Sequence, residues 1–224
     1  MMRRLLIQNA IWICIMAALL FVPAGTLHWP AAWVFLGSIG LLGLGCGVWL
    51  LKTDPALMAE RMRPPVQDGQ PTADKIFVWI FGPAMLVWFV VMGLDERFQG
   101  SDVPFALQAL GFVLVLLALA LIMWVMRTNS FAAPVVKVQA ERQHRVVTAG
   151  PYAYVRHPMY SGAVAFFAGV SLLLGSWWGL AMVPLLAALF AVRTVNEERV
   201  LASGLPGYSD YLTQVRFRLL PGVW

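Results

Sequence analysis

Apolar residues run along this chain in blocks long enough to cross a bilayer, separated by shorter polar stretches. A helix needs about 20 residues to span the hydrocarbon core. Leu5 to Val22, Ala31 to Leu51, Ile76 to Gly93 and Phe105 to Met126 approach or reach that length and predict four spans. Met159 to Val192 is apolar for 34 residues, interrupted by Gly175-Ser-Trp-Trp-Gly179. That interruption predicts a hairpin with two arms of about 15 residues, each short for a full crossing. The expected fold is all-α: a polytopic integral membrane bundle of four spans, a C-terminal helical hairpin and a cytoplasmic cofactor-binding segment.

The connections refine this picture. Pro23 to Pro30 is short enough to force the first two spans antiparallel, with Trp29 and Trp33 suited to the interfacial aromatic belt. Gly37, Gly40, Gly43, Gly45 and Gly47 put a small-residue stripe on the second span, where another helix can approach closely. Met1-Met-Arg-Arg4 before an apolar run imitates a signal peptide, but no convincing small-x-small cleavage site follows. An uncleaved first helix is expected. The chain divides into N-terminal spans, 1–128, and a polar-punctuated region, 129–224.

Composition agrees with a membrane protein. Charged residues are only 12% of the chain and mean hydropathy is +0.75. Cys14 and Cys46 both lie in apolar runs, where buried small hydrophobes are expected rather than a disulfide framework or a metal site. A net charge of +5 points to orientation and anionic headgroups, not to nucleic acid. Arg3 and Arg4, the 52–75 loop and the 127–158 segment carry eleven basic residues, whereas the 94–104 loop carries one. Alternating spans place those basic segments on one side, which the positive-inside rule makes cytoplasmic, in an inner or plasma membrane.

Chemistry concentrates in two places. Gly150 to Gly162 packs Tyr152, Tyr154, Arg156, His157 and Tyr160 into thirteen residues. Arg193-Thr-Val-Asn-Glu-Glu-Arg199 follows one apolar hairpin later. Ionisable groups at the edge of a membrane are expensive, so two such clusters bracketing a hairpin predict one composite pocket. Pro158 suits a first helical turn and pushes His157 toward an extended backbone. Duller readings exist for each residue. Tyr152 and Tyr160 suit interfacial anchoring, and Arg193 with Glu197 suits an exposed ion pair at i, i+4. Glu198 and Arg199 read as a solvated face, and Phe217, Arg218, Pro221 and Trp224 as a C-terminal surface anchor.

The ordered elements Gln139, His144-Arg-Val-Val147, Gly150-Pro-Tyr152, Arg156-His-Pro-Met-Tyr160 with Gly162, Arg193 with Glu197-Glu198, and Tyr208 through Pro221 resemble the isoprenylcysteine carboxyl methyltransferase family. That family lies within the membrane-embedded methyltransferases related to phospholipid methyltransferases. Before residue 129 the likeness is confined to hydropathy and to Asp54-Pro-Ala-Leu-Met-Ala-Glu-Arg-Met-Arg-Pro64, which looks like the amphipathic linker of bacterial members. The resemblance implies that Gln139, His144, Arg145, Val146, Val147, Tyr152, His157, Pro158, Met159 and Tyr160 hold S-adenosyl-L-methionine. Glu197 would complete that site by accepting from the cofactor's ammonium. Arg193 would face a lipophilic small-molecule or prenylated substrate drawn from the membrane lipids, with no metal taking part.

Methyl transfer needs mainly positioning and desolvation. A carboxylate acceptor is already ionised and needs no base, and an arginine fork can orient it. This chemistry favours a carboxyl over an amine acceptor, and with the resemblance it makes carboxyl O-methylation of an isoprenylcysteine-like or other lipophilic substrate the expected reaction. The alternatives are a phospholipid or lipid amine N-methyltransferase, an NADPH-dependent membrane reductase of the sterol type, and a non-enzymatic membrane scaffold.

Overall fold

The computed structural model describes residues 1–224 and contains helices and no strand. The elements are α1 (Met2–Ala24), α2 (Pro30–Thr53), α3 (Pro55–Arg61), α4 (Thr72–Phe98), α5 (Phe105–Thr128), α6 (Pro158–Leu173), α7 (Trp177–Ala181), α8 (Val183–Gly204) and α9 (Tyr208–Gln214). Short 3₁₀ turns occupy Ala140–Arg142 and Gly150–Ala153. Five stretches are long and apolar enough to cross a membrane: α1, α2, α4, α5 and the run Trp177–Gly204 formed by α7 and α8. This is a multi-pass integral membrane bundle. Only 17% of the apolar window of α1 and 33% of that of Trp177–Gly204 are buried in the protein, so much of the apolar surface of these spans stays uncovered by the bundle. In lipid such exposure costs nothing, because the surrounding tails are as apolar as the side chains.

The last hairpin differs from expectation. Its first arm, α6, has 16 residues, close to the expected length, but the second runs for 28. Hydropathy falls at Arg193, yet nothing there breaks a helix. The backbone continues until Gly204 and Pro206, and the polar side chains find partners across the bundle.

The core is built from α1, α2, α4, α5, α6 and α8 around Phe35, Trp88, Met92, Phe167, Leu186 and Phe190. Trp88 is fully buried and donates its indole N–H to the Gly179 carbonyl, 3.0 Å away, which satisfies its one polar atom. The closest helix contact is between α5 and α6. A Cβ on Gly111 would lie 2.5 Å from the Leu173 nitrogen, and one on Gly169 would lie 2.9 Å from the Gly111 carbonyl oxygen. On α2 the predicted stripe is only partly used. Gly40, Gly43 and Gly47 face Ile13, Asn9 and Leu5 of α1, while Gly37 and Gly45 meet nothing within 4 Å. A helix presents one face per 3.6 residues, so the five glycines cannot all share an interface. Cys14 is likewise exposed on the outside of α1 rather than buried, and Cys46 is half-buried.

The two ends of the bundle are distinct. At one, Asp95 accepts from the hydroxyls of Ser101 (2.6 Å) and Ser176 (2.5 Å), joining the α4–α5 turn to the hairpin tip. At the other, the three basic segments meet. Arg4 donates to the Met62 carbonyl at 2.9 Å, Arg61 to the Ala132 carbonyl at 2.8 Å, and Lys137 pairs with Glu60 at 2.8 Å. The Asp54–Pro64 linker is the short helix α3, capped by the Asp54 carboxylate accepting from the Leu57 N–H at 2.9 Å. It braces the 130–147 segment.

Candidate functional site

At the basic end a cleft with about 790 Å³ of empty space, partly open to solvent, lies between the 131–160 segment, the end of α8 and α9. The 150–160 segment forms its floor. Gly150 has φ +60, and a Cβ there would lie 2.8 Å from the Thr128 hydroxyl, so glycine serves both the turn and the close approach. Tyr152 is fixed at both ends: its hydroxyl accepts from Asn129 and its carbonyl from the Tyr211 hydroxyl, each at 2.8 Å. Burial pushes the Tyr152 hydroxyl above its ordinary pKa, so it is a neutral group.

His157 has φ −126 and ψ 61, outside the helical region as its following proline requires. The N–H groups of Arg156 and His157 donate to the carbonyls of Phe217 and Arg218 at 2.9 Å each. The His157 and Tyr160 rings lie parallel with centroids 5.5 Å apart. Tyr160 donates its hydroxyl proton to Glu197 at 2.5 Å, and His157 Nδ1 lies 3.8 Å from the same carboxylate oxygen. The two polar clusters thus meet, as the sequence predicts. Phe131 and His144 stack at 4.5 Å on another wall. Burial, and then the charge of Arg142, hold the His144 pKa below its usual value.

His144, Arg145, Val146, Val147, Tyr152, His157, Pro158, Met159, Tyr160 and Glu197 all line this cleft. Gln139 and Arg193 do not. Gln139 is 1% exposed and shapes the loop carrying His144. Its amide donates to the Phe131 carbonyl at 2.9 Å, its side-chain oxygen accepts from Arg142 at 2.5 Å, and its N–H donates to His144 Nδ1 at 3.3 Å.

Arg193 stands four residues from Glu197 yet pairs elsewhere. Its Nε donates to Asp74 Oδ1 at 2.8 Å and its Nη2 to the Pro134 carbonyl at 2.7 Å. The guanidinium lies over the Phe77 and Tyr160 rings, 4.5 and 5.5 Å from their centroids. Arg193, Asp74 and Glu197 line a second cavity between the start of α4 and the end of α8. Glu197 is therefore a wall of both cavities. Asp74 was not legible as a site residue, because one acid at the start of an apolar span resembles ordinary helix-end chemistry.

Two expectations are corrected. Glu198 is not a solvated residue but is 7% exposed. Its carboxylate is approached by Arg156 Nε at 2.8 Å, Arg218 Nε at 2.9 Å and His157 Nε2 at 3.4 Å. The Arg218 contact is a hydrogen bond; those of Arg156 and His157 are close in distance but poorly aligned for one. The C-terminal segment is likewise no mere surface anchor. It supplies the carbonyls that hold Arg156 and His157, and Arg218 bridges Glu198 to the Trp224 ring, 5.0 Å away. A doublet such as Glu197-Glu198 points about 100° apart on a helix, so one carboxylate can face the cleft while its neighbour faces the tail.

Comparison with known proteins agrees with this architecture. A 153-residue stretch is 30% identical to a cobalt-zinc-cadmium resistance protein of Cupriavidus metallidurans, covering 64% of this chain and 62% of that protein. A 90-residue stretch is 33% identical to the protein-S-isoprenylcysteine O-methyltransferase of Schizosaccharomyces pombe, covering 40% of this chain and 37% of the relative. The matches span less than two thirds of either relative's length. Residues 106–205, which take in nearly all of α5, the 150–160 segment and all of α8, match the family model for phospholipid methyltransferase. Through that region the chain is similar to the phospholipid methyltransferase family.

Proposed function

We propose that this protein is an S-adenosylmethionine-dependent methyltransferase acting on a lipophilic acceptor, with its cleft on the cytoplasmic side. The observation that carries the reading is the junction at Glu197, where a carboxylate held by Tyr160 borders both the cleft lined by His144 and His157 and the cavity lined by Arg193. The donor set suits the cofactor. Glu197 offers an acceptor for an ammonium, the Phe131–His144 stack offers a flat surface for a purine, and Val146, Val147 and Leu201 offer apolar walls. Bound there, S-adenosylmethionine supplies a methyl carbon already activated by its sulfonium. The protein's part is to hold the acceptor in line and exclude water. The unbonded edge of Arg193 suits a carboxylate, which is ionised at neutral pH and needs no base. The gathering of the basic segments at this end supports the cytoplasmic placement.

A second reading, an amine acceptor, is favoured by Asp74. With Arg193 compensated by Asp74, the ionised trio Arg193, Asp74 and Glu197 carries a net negative charge, which draws a cationic headgroup.

Purified protein titrated with S-adenosylhomocysteine and with NADPH tests the cofactor; binding of the first alone is expected. Tyr160→Phe, which removes the hydroxyl donated to Glu197 and keeps the ring, should weaken that binding about tenfold or more. Transfer of labelled methyl groups to N-acetyl-S-farnesylcysteine or to phosphatidylethanolamine separates the two acceptors. Binding of NADPH in place of S-adenosylhomocysteine would sink the proposal.

A further inference from the structure

Asp74 enters the site from α4, 119 positions along the chain from the arginine it binds. It is 3% exposed, and both its oxygens are occupied. Oδ1 accepts from Arg193 Nε at 2.8 Å; Oδ2 accepts from the Gln70 amide at 2.6 Å and the Val136 N–H at 2.8 Å. A carboxylate held on two sides cannot rotate, so it offers Arg193 one fixed oxygen.

The consequence for Arg193 is geometric. A guanidinium can grip an anion side-on, through Nε and one Nη, or end-on, through both Nη atoms. Asp74 occupies Nε, and the Pro134 carbonyl takes one proton of Nη2. The Nη1 group makes no hydrogen bond, yet it is not among the buried atoms sealed from solvent. The side-on approach is closed and the end-on edge is open. The rings of Phe77 and Tyr160 near the guanidinium further restrict its tilt. Arg193, Asp74 and Glu197 line the same cavity, and Glu197 is the wall that cavity shares with the cleft lined by His157.

Stability alone gives no reason for this arrangement. Buried ion pairs are often no more stabilising than apolar residues of the same volume. Glu197, one helical turn away, was available as a partner at lower conformational cost. Pairing with Asp74 instead keeps the arginine off the carboxylate that faces the cleft.

We propose that Asp74 is a positioning residue: anchored by Gln70 and Val136, it fixes Arg193 so that only its end-on edge meets the methyl acceptor. This rests on the proposed function, in which Arg193 contacts that acceptor.

The test is a double-mutant cycle on the full-length protein in detergent, read by acceptor KM, kcat and S-adenosylhomocysteine affinity. The acceptor is whichever of N-acetyl-S-farnesylcysteine and phosphatidylethanolamine the wild type methylates. Asp74→Asn gives its one carbonyl oxygen to either Arg193 or Val136, not both. It should raise acceptor KM about tenfold or more while S-adenosylhomocysteine affinity stays within about threefold. Asp74→Asn combined with Arg193→Lys should be no worse than Arg193→Lys alone, because the aspartate acts through the arginine. Should Asp74→Asn fail to fold, Gln70→Met, which removes one donor to Oδ2, should show the same split in smaller measure.

Losses that multiply in the double mutant would overturn the proposal, as would cofactor affinity falling in step with acceptor affinity. An unchanged KM in Asp74→Asn, or in Gln70→Met where that variant stands in, overturns it equally. A wild type that binds no S-adenosylhomocysteine and methylates neither acceptor overturns the proposed function, and this inference with it.

Discussion

Glu198→Ala is the sharpest perturbation of the site's support. It removes the carboxylate that lies 2.8 Å from Arg156 Nε and 2.9 Å from Arg218 Nε. The Arg156 side chain is 8% exposed, and its remaining side-chain contact is one long hydrogen bond, 3.5 Å, to the Leu212 carbonyl. Removing one partner of a buried pair leaves the other charge uncompensated, at a cost of about 3–5 kcal/mol. Arg218 is 31% exposed and can turn toward water, so it adds at most a surface pair's worth, about 0–1 kcal/mol. The expected loss is therefore about 3–5 kcal/mol. Denaturant unfolding followed by tryptophan fluorescence in detergent measures it. The same variant should weaken S-adenosylhomocysteine binding, since His157 lies in the cleft and shares this carboxylate. Combining it with Arg156→Met removes the stranded charge and should recover much of the stability. A loss in Glu198→Ala below about 1 kcal/mol, the scale of an exposed pair, would refute the assignment of Glu198 as a buried hub.

Two further outcomes follow from the structure. The His144 pKa is lowered by burial and by Arg142, so the folded state favours the neutral ring. Its contribution to stability is present above the unfolded value of about 6.5 and is lost as pH falls through the lower folded value. Unfolding measured from pH 8 to pH 5 should show a steeper acid loss in wild type than in His144→Gln, and parallel curves would contradict this. Gly111→Ala would place a Cβ 2.5 Å from the backbone of α6, which cannot yield as a flexible side chain does. It should destabilise the protein by about 1–3 kcal/mol in thermal or denaturant unfolding, and Gly37→Ala, with nothing near it, should not. Equal effects in the two variants would mean that α5 and α6 are not in close contact.

Much of this architecture is decided by sequence alone, because bilayer thickness and helical rise convert apolar run length directly into spans. The first four spans, the connecting linker helix and the meeting of the two polar clusters were all legible. The His157-Pro158 pair also announces its own backbone, since proline restricts the residue before it by local sterics. What stayed hidden depends on partners distant in the chain. The burial of the polar end of α8 was hidden because hydropathy reports polarity, not whether Arg193 and Glu198 find countercharges 119 and 20 residues away. Gln139 is a brace outside the cleft because the Phe131 carbonyl and Arg142 consume its amide. Asp74 joins the site only when α4 packs beside α8, and Glu198 is buried only when the C-terminal tail folds back over Arg156. The sequence by itself determined which segments enter the membrane and where chemistry gathers, since both follow from local composition. Which ionisable group pairs with which was left to the tertiary structure, because that depends on distances between helices.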